Sequence, residues 1–260
     1  MKIAYLGIDL LLPVFDALIK ENCEIIKIFT CPTDNKTEFN IKTISTAKSL
    51  NIPYTLKRIT KYDLEELKNM GCQLIVCAAY YFKAPVCSDI PMVNFHPSFL
   101  PLGRGAWPMP VIILKKLEFG GITIHKMAED FDTGDILLRE KFLISSGETL
   151  ESYMQKVYDR IPGMVHKLIT QLPSLLKNAL KQEGGEYWRM PEEKDWTVTS
   201  DMDADYADTI LRAFYGYECI YRNNVKRFEI IKGRVVKSDV KDKPLPVNGG
   251  YIQAQYVKEL

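Results

Sequence analysis

The run "QLIVCAA" (73–79) is apolar on both of its alternating faces. Side chains of an extended chain point to opposite sides in turn, so such a strand must be covered on both. Before it stands "KYDLEELKNMG" (61–71), an amphipathic helical stretch closed by a glycine. Working outward, "KIAYLG" (2–7) and "EIIKIFT" (24–30) read as further buried strands, and "PYTLKRI" (53–59) as extended. "LLLPVFDALIKEN" (10–22) and "IKTISTAKSLN" (41–51) have helical spacing. "MVNF" (92–95) is another short strand. Apolar strands alternating with helices of about ten residues predict an α/β fold with a parallel sheet covered on both faces.

The second half changes character. "GGITIHKMA" (120–128) and "DILLREKFLI" (135–144) read as strands with a short link, fit to form an antiparallel edge. A helix is expected at about 108–118. Residues 149–180 form a long helical region that Pro162 and Pro173 should kink or divide. The polar stretch "KQEGGEYWRMPEEKDW" (181–196) reads as a linker. Beyond it, "DADYADTILRAFYGY" (203–217) reads as a helix, and "VKRFEIIKGRVVKSDV" (225–240) as a hairpin turning near Gly233. The expected architecture is a Rossmann-like, mostly parallel sheet with helices on both faces, plus a small C-terminal α+β region. The division is 1–182 as catalytic domain and 183–260 as C-terminal domain.

The 260 residues are 47% hydrophobic and 26% charged, ordinary for a chain that buries a core. Net charge is +1, so no strong nucleic-acid or membrane field is expected. The apolar N-terminus is interrupted by Gly7, Asp9 and Pro13 before it could span a bilayer. Six cysteines form no Cys-x-x-Cys and fall partly in strand-like runs. They predict a reducing, cytoplasmic setting with structural thiols. The first strand is followed by one glycine without G-x-G-x-x-G, and there is no Walker A sequence. A pyrophosphate cradle at that turn is not expected. Three scattered histidines offer no metal-ligand spacing, so no metal is expected.

Chemistry concentrates in "NFHPSFLPLGRG" (94–105). Asn94 and His96 are two apart and share a face of an extended backbone. Pro97 keeps His96 extended, and the tract cannot be helical. Arg104, Gly105 and Trp107 follow, just before the expected helix. Downstream comes the acidic turn "DFDTGD" (130–135), too poor in suitably spaced oxygens for a calcium loop. An imidazole can accept a proton near neutral pH, and a carboxamide can donate to a developing oxyanion. A nearby carboxylate can orient the imidazole or relay a proton. That set suits acyl transfer to an amine without a protein nucleophile. Arg104 reads equally as a clamp for a substrate phosphate or as a brace for its loop. Trp107 reads as a stacking or a packing residue, and Asp135, His125 and His166 as structural or supporting.

"NFHPSFLPLGRGAWP" followed by "GGITIHKMAEDFDTGDIL" resembles the 10-formyltetrahydrofolate-dependent formyltransferases. That family acts on methionyl-tRNA, glycinamide ribonucleotide and nucleotide-linked amino sugars, and the resemblance covers most of residues 1–145. It implies Asn94, His96 and Asp132 as catalytic residues. It implies 10-formyltetrahydrofolate as formyl donor, with the pterin between the loop "AAYYFKAP" (78–85) and the Asp loop. Tyr81, Phe82, Lys83 and Asp130 are then the candidates for folate, and Arg104, Gly105 and Trp107 for the acceptor.

Transfer-RNA members of this family carry a basic loop early in the chain and a larger C-terminal barrel. Here "CPTDNKTEFNIK" (31–42) is short and not strongly basic, and the tail has mixed charge. The expected partners are therefore small molecules, a folate and a nucleotide-linked amino sugar, with no membrane and no nucleic acid. A methionyl-tRNA enzyme, a formyltetrahydrofolate hydrolase and a non-catalytic folate or nucleotide sensor stay open as alternatives. Strand-edge physics allows a homodimer through the C-terminal hairpin.

Overall fold

The computed structural model of the chain describes residues 1–35, 38–237 and 245–260. These fall into two compact units. The first comprises Met1–Gly105, Gly121–Lys141 and Val157–Tyr187; the second comprises Ala106–Gly120, Phe142–Lys156 and Trp188–Leu260.

The first unit is organised by β1 (Lys2–Gly7), β2 (Glu24–Phe29), β3 (Tyr54–Thr55), β4 (Leu74–Ala78) and β5 (Met92–His96). With β6 (Phe119–Lys126) and β7 (Ile136–Leu143) they make one sheet in the order β3-β2-β1-β4-β5-β6-β7. The pairs β1–β2, β1–β4, β2–β3 and β4–β5 are parallel, and β5–β6 is antiparallel. All five residues of β4 are buried, as its two-faced apolar sequence requires. Between the parallel strands stand α1 (Leu12–Lys20), α2 (Ile41–Ser49) and α3 (Lys61–Asn69). Thr60 caps α3, its hydroxyl accepting from Asp63 N–H while Asp63 reaches back to Thr60 N–H. Gly71, at φ +77°, ends that segment. This is a Rossmann-like, mostly parallel sheet, the fold class that the alternation implied.

Two local expectations change. Pro162 and Pro173 lie inside one continuous helix, α5 (Leu150–Lys177), and do not divide it. Each proline removes one backbone donor. Within the first unit Val157, Ile161, Met164, Val165, Leu168 and Leu172 are buried at helical spacing. Their burial contributes roughly 1.5–3 kcal/mol each, enough to hold the helix through two missing bonds. The segment 181–196 is also not a free linker. Arg104 N–H donates to Glu186 O at 3.2 Å, and Arg104 and Tyr187 form a β-bridge.

The second unit contains α4 (Pro108–Leu114), α6 (Ala204–Ala213) and a five-stranded sheet. Its strands are β8 (Thr197–Thr199), β9 (Glu218–Arg222), β10 (Arg227–Val236), β11 (Leu245–Val247) and β12 (Gly250–Glu259), in the order β11-β12-β10-β9-β8. The expected hairpin turn at Gly233 is absent: β10 runs straight through it, pairing with β9 and β12. Gly233 is required for close approach instead. A Cβ there would lie 2.9 Å from Ile230 Cγ2 and 3.2 Å from Leu211 of α6. Residues 238–240, the end of that expected hairpin, lie outside the described residues. Among the described residues no helix is long and apolar enough to cross a membrane.

Candidate active site

Strand β5 ends on His96, so Asn94 and His96 stand at the carboxyl end of a parallel strand, where open α/β sheets present ligand sites. Strand β6 returns antiparallel beside it and sets His125 opposite Asn94 and Thr123 opposite His96. Thr123 is buried and fixes the turn that follows: its hydroxyl donates to Ser98 O at 2.7 Å and accepts from Leu100 N–H at 3.1 Å. The proline tract is thereby pinned to the sheet, with the Leu100–Pro101 bond cis. The loop then curls back so that the Gly103 carbonyl meets His96 Nε2 at 2.7 Å.

Asp132 comes from the turn after β6. Its backbone is left-handed, φ +57°, a conformation that a residue with a Cβ holds only when its surroundings impose it. Gly134 makes the turn possible, because a Cβ there would lie 1.9 Å from the Lys126 carbonyl oxygen. Thr133 Oγ1 donates to Asp130 O at 3.0 Å. The carboxylate so placed is met by four residues. Gly105 N–H donates to Oδ2 at 3.0 Å and Asn94 Nδ2 to Oδ1 at 3.3 Å. Nδ1 of His96 and Nε2 of His125 both stand 3.4 Å from Oδ1.

Carbonyl oxygens only accept, and this fixes both imidazoles. Nε2–H of His96 donates to Gly103 O, so the neutral ring carries its lone pair on Nδ1, facing Asp132 beyond hydrogen-bond distance. His125 Nδ1–H donates to Lys126 O at 2.7 Å, and its Nε2 stands 3.1 Å from Asn94 Nδ2. Burial pushes His96 below its ordinary value and outweighs the Asp132 carboxylate and Gly103 carbonyl, which raise it. His96 is therefore an uncharged base at neutral pH. Burial opposes the charge on Asp132, yet the two imidazoles, which carry positive charge once protonated at low pH, and the Gly105 N–H together hold its carboxyl well below the usual carboxylate range. The site can accept a proton at His96 Nδ1 and stabilise the resulting imidazolium with an adjacent carboxylate. The described residues offer no group of His, Cys, Asp and Glu able to hold a metal ion.

A cavity of about 250 Å³ opens beside these strands. Its wall is Val86, Cys87, Ile90 and Met92 from the segment leading into β5, with Lys126 and Met127 at the end of β6 and Leu176 of α5. The Lys126 ammonium is tied to Asp135 at 3.2 Å. Tyr81, Phe82, Lys83 and Asp130 do not line this cavity. Phe82 packs on the core and edge-on to Tyr80, whose hydroxyl accepts from Ile59 N–H at 2.9 Å. Tyr81 is exposed, and the Lys83 carbonyl takes a hydrogen bond from Arg58.

The three residues proposed for the acceptor separate. Gly105 supports Asp132 through its N–H. Arg104 Nε donates to Gln182 Oε1 at 3.0 Å. Trp107 belongs to an aromatic cluster of the second unit, edge-on to Phe214 at 5.5 Å and to Tyr217 at 5.0 Å between ring centres. Gln182 itself was missed. Its Nε2 donates to Asp132 O at 2.8 Å and to Gly134 O at 2.7 Å.

The chain matches the family described as "Formyl transferase" over residues 1–169. Methionyl-tRNA formyltransferase of Prochlorococcus marinus (strain MIT 9215) is 29% identical over 92% of this chain and 79% of its own length. Among solved structures, a variant of HypX from Aquifex aeolicus superposes with a TM-score of 0.76 at 14% identity over 99% of this chain. This chain spans 45% of that protein, less than half its length. The N-formyltransferase of Helicobacter canadensis, in complex with folinic acid and dTDP-3-aminofucose, superposes with a TM-score of 0.69 at 15% identity. That match covers 100% of this chain and 99% of the other. At such identities the structures speak for the fold, whereas the match over residues 1–169 speaks for descent: the chain belongs to the formyl transferase family.

Proposed function

We propose that this formyl transferase moves the formyl group of 10-formyltetrahydrofolate to the primary amine of a nucleotide-linked amino sugar. The observation that carries the reading is the meeting of Asn94, His96 and Asp132 around one carboxylate oxygen, with no serine or cysteine nucleophile among them. The acceptor nitrogen attacks the formyl carbon, forming a C–N bond and moving the carbonyl electron pair onto oxygen. His96 Nδ1 takes the proton that the amine loses. As Nδ1–H turns to Asp132 Oδ1, one N–H of Asn94 is released from that oxygen and donates to the oxyanion. Collapse breaks the bond from the formyl carbon to N10, and the proton held by His96 returns to N10 with Asp132 assisting. Amine and formyl donor have then become formamide and tetrahydrofolate. His125 keeps Asn94 and Asp132 in register. The pterin is placed between the 78–85 loop and the Asp132 turn, with Tyr81, Phe82, Lys83 and Asp130 as candidates for the folate. Arg104, Gly105 and Trp107 remain the acceptor-side candidates, with 1–182 as catalytic part and 183–260 as C-terminal part.

The near-neutral charge favours a small acceptor over a polyanion. The formyltransferase of Helicobacter canadensis, with its dTDP-3-aminofucose, supports the same choice. Methionyl-tRNA is the second reading, favoured by 29% identity over 92% of this chain to an enzyme of that name. The deciding experiment follows tetrahydrofolate release from 10-formyltetrahydrofolate with dTDP-3-aminofucose, with methionyl-tRNA and with no amine. Release that depends on the sugar is expected. Equal release without amine would indicate hydrolysis, and transfer to methionyl-tRNA alone would replace the acceptor.

A further inference from the structure

Gln182 lies fifty residues after Asp132, in the stretch whose polar composition reads as a linker. Its carboxamide touches three groups at once: the carbonyls of Asp132 and Gly134 through Nε2, and the Arg104 guanidinium through Oε1. The amide cannot be reversed, because two carbonyls require a donor and a guanidinium requires an acceptor. Arg104 belongs to the loop whose Gly103 carbonyl holds His96 and whose Gly105 N–H holds Asp132. The chain beyond Gln182 is laced to the same loop. Arg104 N–H meets Glu186 O, and Gly185, at φ +97°, lies where a Cβ would come within 2.5 Å of Pro101 O.

We propose that Gln182 is a positioning residue for formyl transfer, its carboxamide holding the left-handed Asp132 turn at the separation from His96 that proton transfer requires. The proposal rests on the catalytic reading of Asn94, His96 and Asp132 given above. The Asp132 backbone is strained, and strain of this kind persists only where neighbours impose it. Gly105 N–H and Asn94 grip the carboxylate; Gln182 grips the carbonyls of Asp132 and Gly134. Without Gln182 the turn that carries the carboxylate can relax and draw it away from His96. Charged or titrating groups facing His96 are Asp132 and His125, and the Gly103 carbonyl completes its surroundings.

The test uses the ¹⁵N-histidine-labelled protein, in which the three imidazoles of these 260 residues give signals. The titration midpoint of His96 is measured in the wild type, Gln182→Leu, Gln182→Glu and Asp132→Asn. Turnover is measured with 10-formyltetrahydrofolate and dTDP-3-aminofucose as the probe acceptor. Of the two Gln182 variants, leucine is expected to move the His96 midpoint downward, the direction expected of Asp132→Asn, whereas the glutamate's added charge favours the imidazolium and opposes that shift. Both variants should lower kcat roughly ten- to a hundredfold while the donor KM stays within about twofold. Gln182→Glu keeps an acceptor for Arg104 but turns a carboxylate on two carbonyls, so it should be no better than leucine. A Gln182→Glu protein with wild-type kcat would overturn the proposal, leaving only a brace for Arg104. So would a Gln182→Leu protein that melts earlier with the His96 midpoint unmoved. His96→Ala with near-normal turnover would overturn the catalytic reading itself, and the NMR arm, which needs no acceptor, tells the two failures apart.

Discussion

Residues 94–105 and residues 181–187 support the same cluster of groups by different means. The first tract carries chemistry written in residue types, an amide, an imidazole and prolines that fix their spacing, and adds the Gly103 carbonyl and the Gly105 N–H. The second works on backbone. Gln182 holds two carbonyls, Glu186 offers one, and Gly185 contributes by having no side chain at all. Composition reads such a stretch as solvent-exposed connection, because polar residues and glycines are what linkers contain. A residue that recognises peptide groups leaves no mark on the type of its partner.

That contrast can be broken experimentally. The largest effect belongs to the first tract. His96→Ala and Asp132→Asn should each lower kcat/KM by about 10²–10⁴-fold with circular dichroism and Tm near those of the wild type; near-normal turnover in either would remove that residue from the mechanism. Next comes the second tract. Gly185→Ala adds a Cβ at φ +97° and within 2.5 Å of Pro101 O. It should cost about 1–3 kcal/mol in chemical denaturation and reduce turnover, although no side chain of the motif is altered. Unchanged stability would mean that the 185–187 segment can leave its place at no cost.

A smaller effect is expected in the pH profile. Because burial lowers the His96 pKa, its neutral form persists below the ordinary imidazole value of about 6.5. kcat/KM should stay flat above that pH and fall only as pH drops through the lowered value. Residual activity in Asp132→Asn should fall at a still lower pH, since the carboxylate raises His96. An acid limb above pH 6.5 would contradict the burial argument. The same sign holds for stability, because the unfolded chain protonates this histidine first as pH falls, which favours unfolding. The smallest effect is remote from both tracts. Gly233→Ala should cost about 1 kcal/mol, since its nearest obstacles are the side chains of Ile230 and Leu211, and should leave turnover unchanged.

The sheet strands β1, β2, β4 and β5 were legible because period-two patterns and two-faced burial are local properties of sequence. Gly233 misled for a related reason: glycine marks a turn or a close approach, and only the Leu211 side chain of α6 decides between them. Pro162 and Pro173 misled because local backbone loss is visible in sequence, whereas the buried face that outweighs it is tertiary. The cavity near Met92 and Met127 was hidden for the same reason, as its wall joins segments from three parts of the chain.

By itself the sequence determined the α/β alternation, the shared face of Asn94 and His96, and the residue types able to move a proton and steady an oxyanion. Only the tertiary structure decided which imidazole nitrogen is free to accept that proton, and that Gln182 is part of the same framework. Periodicity and side-chain chemistry travel with the residue, whereas a hydrogen bond to a carbonyl exists only once two distant stretches of backbone have been brought within 3 Å.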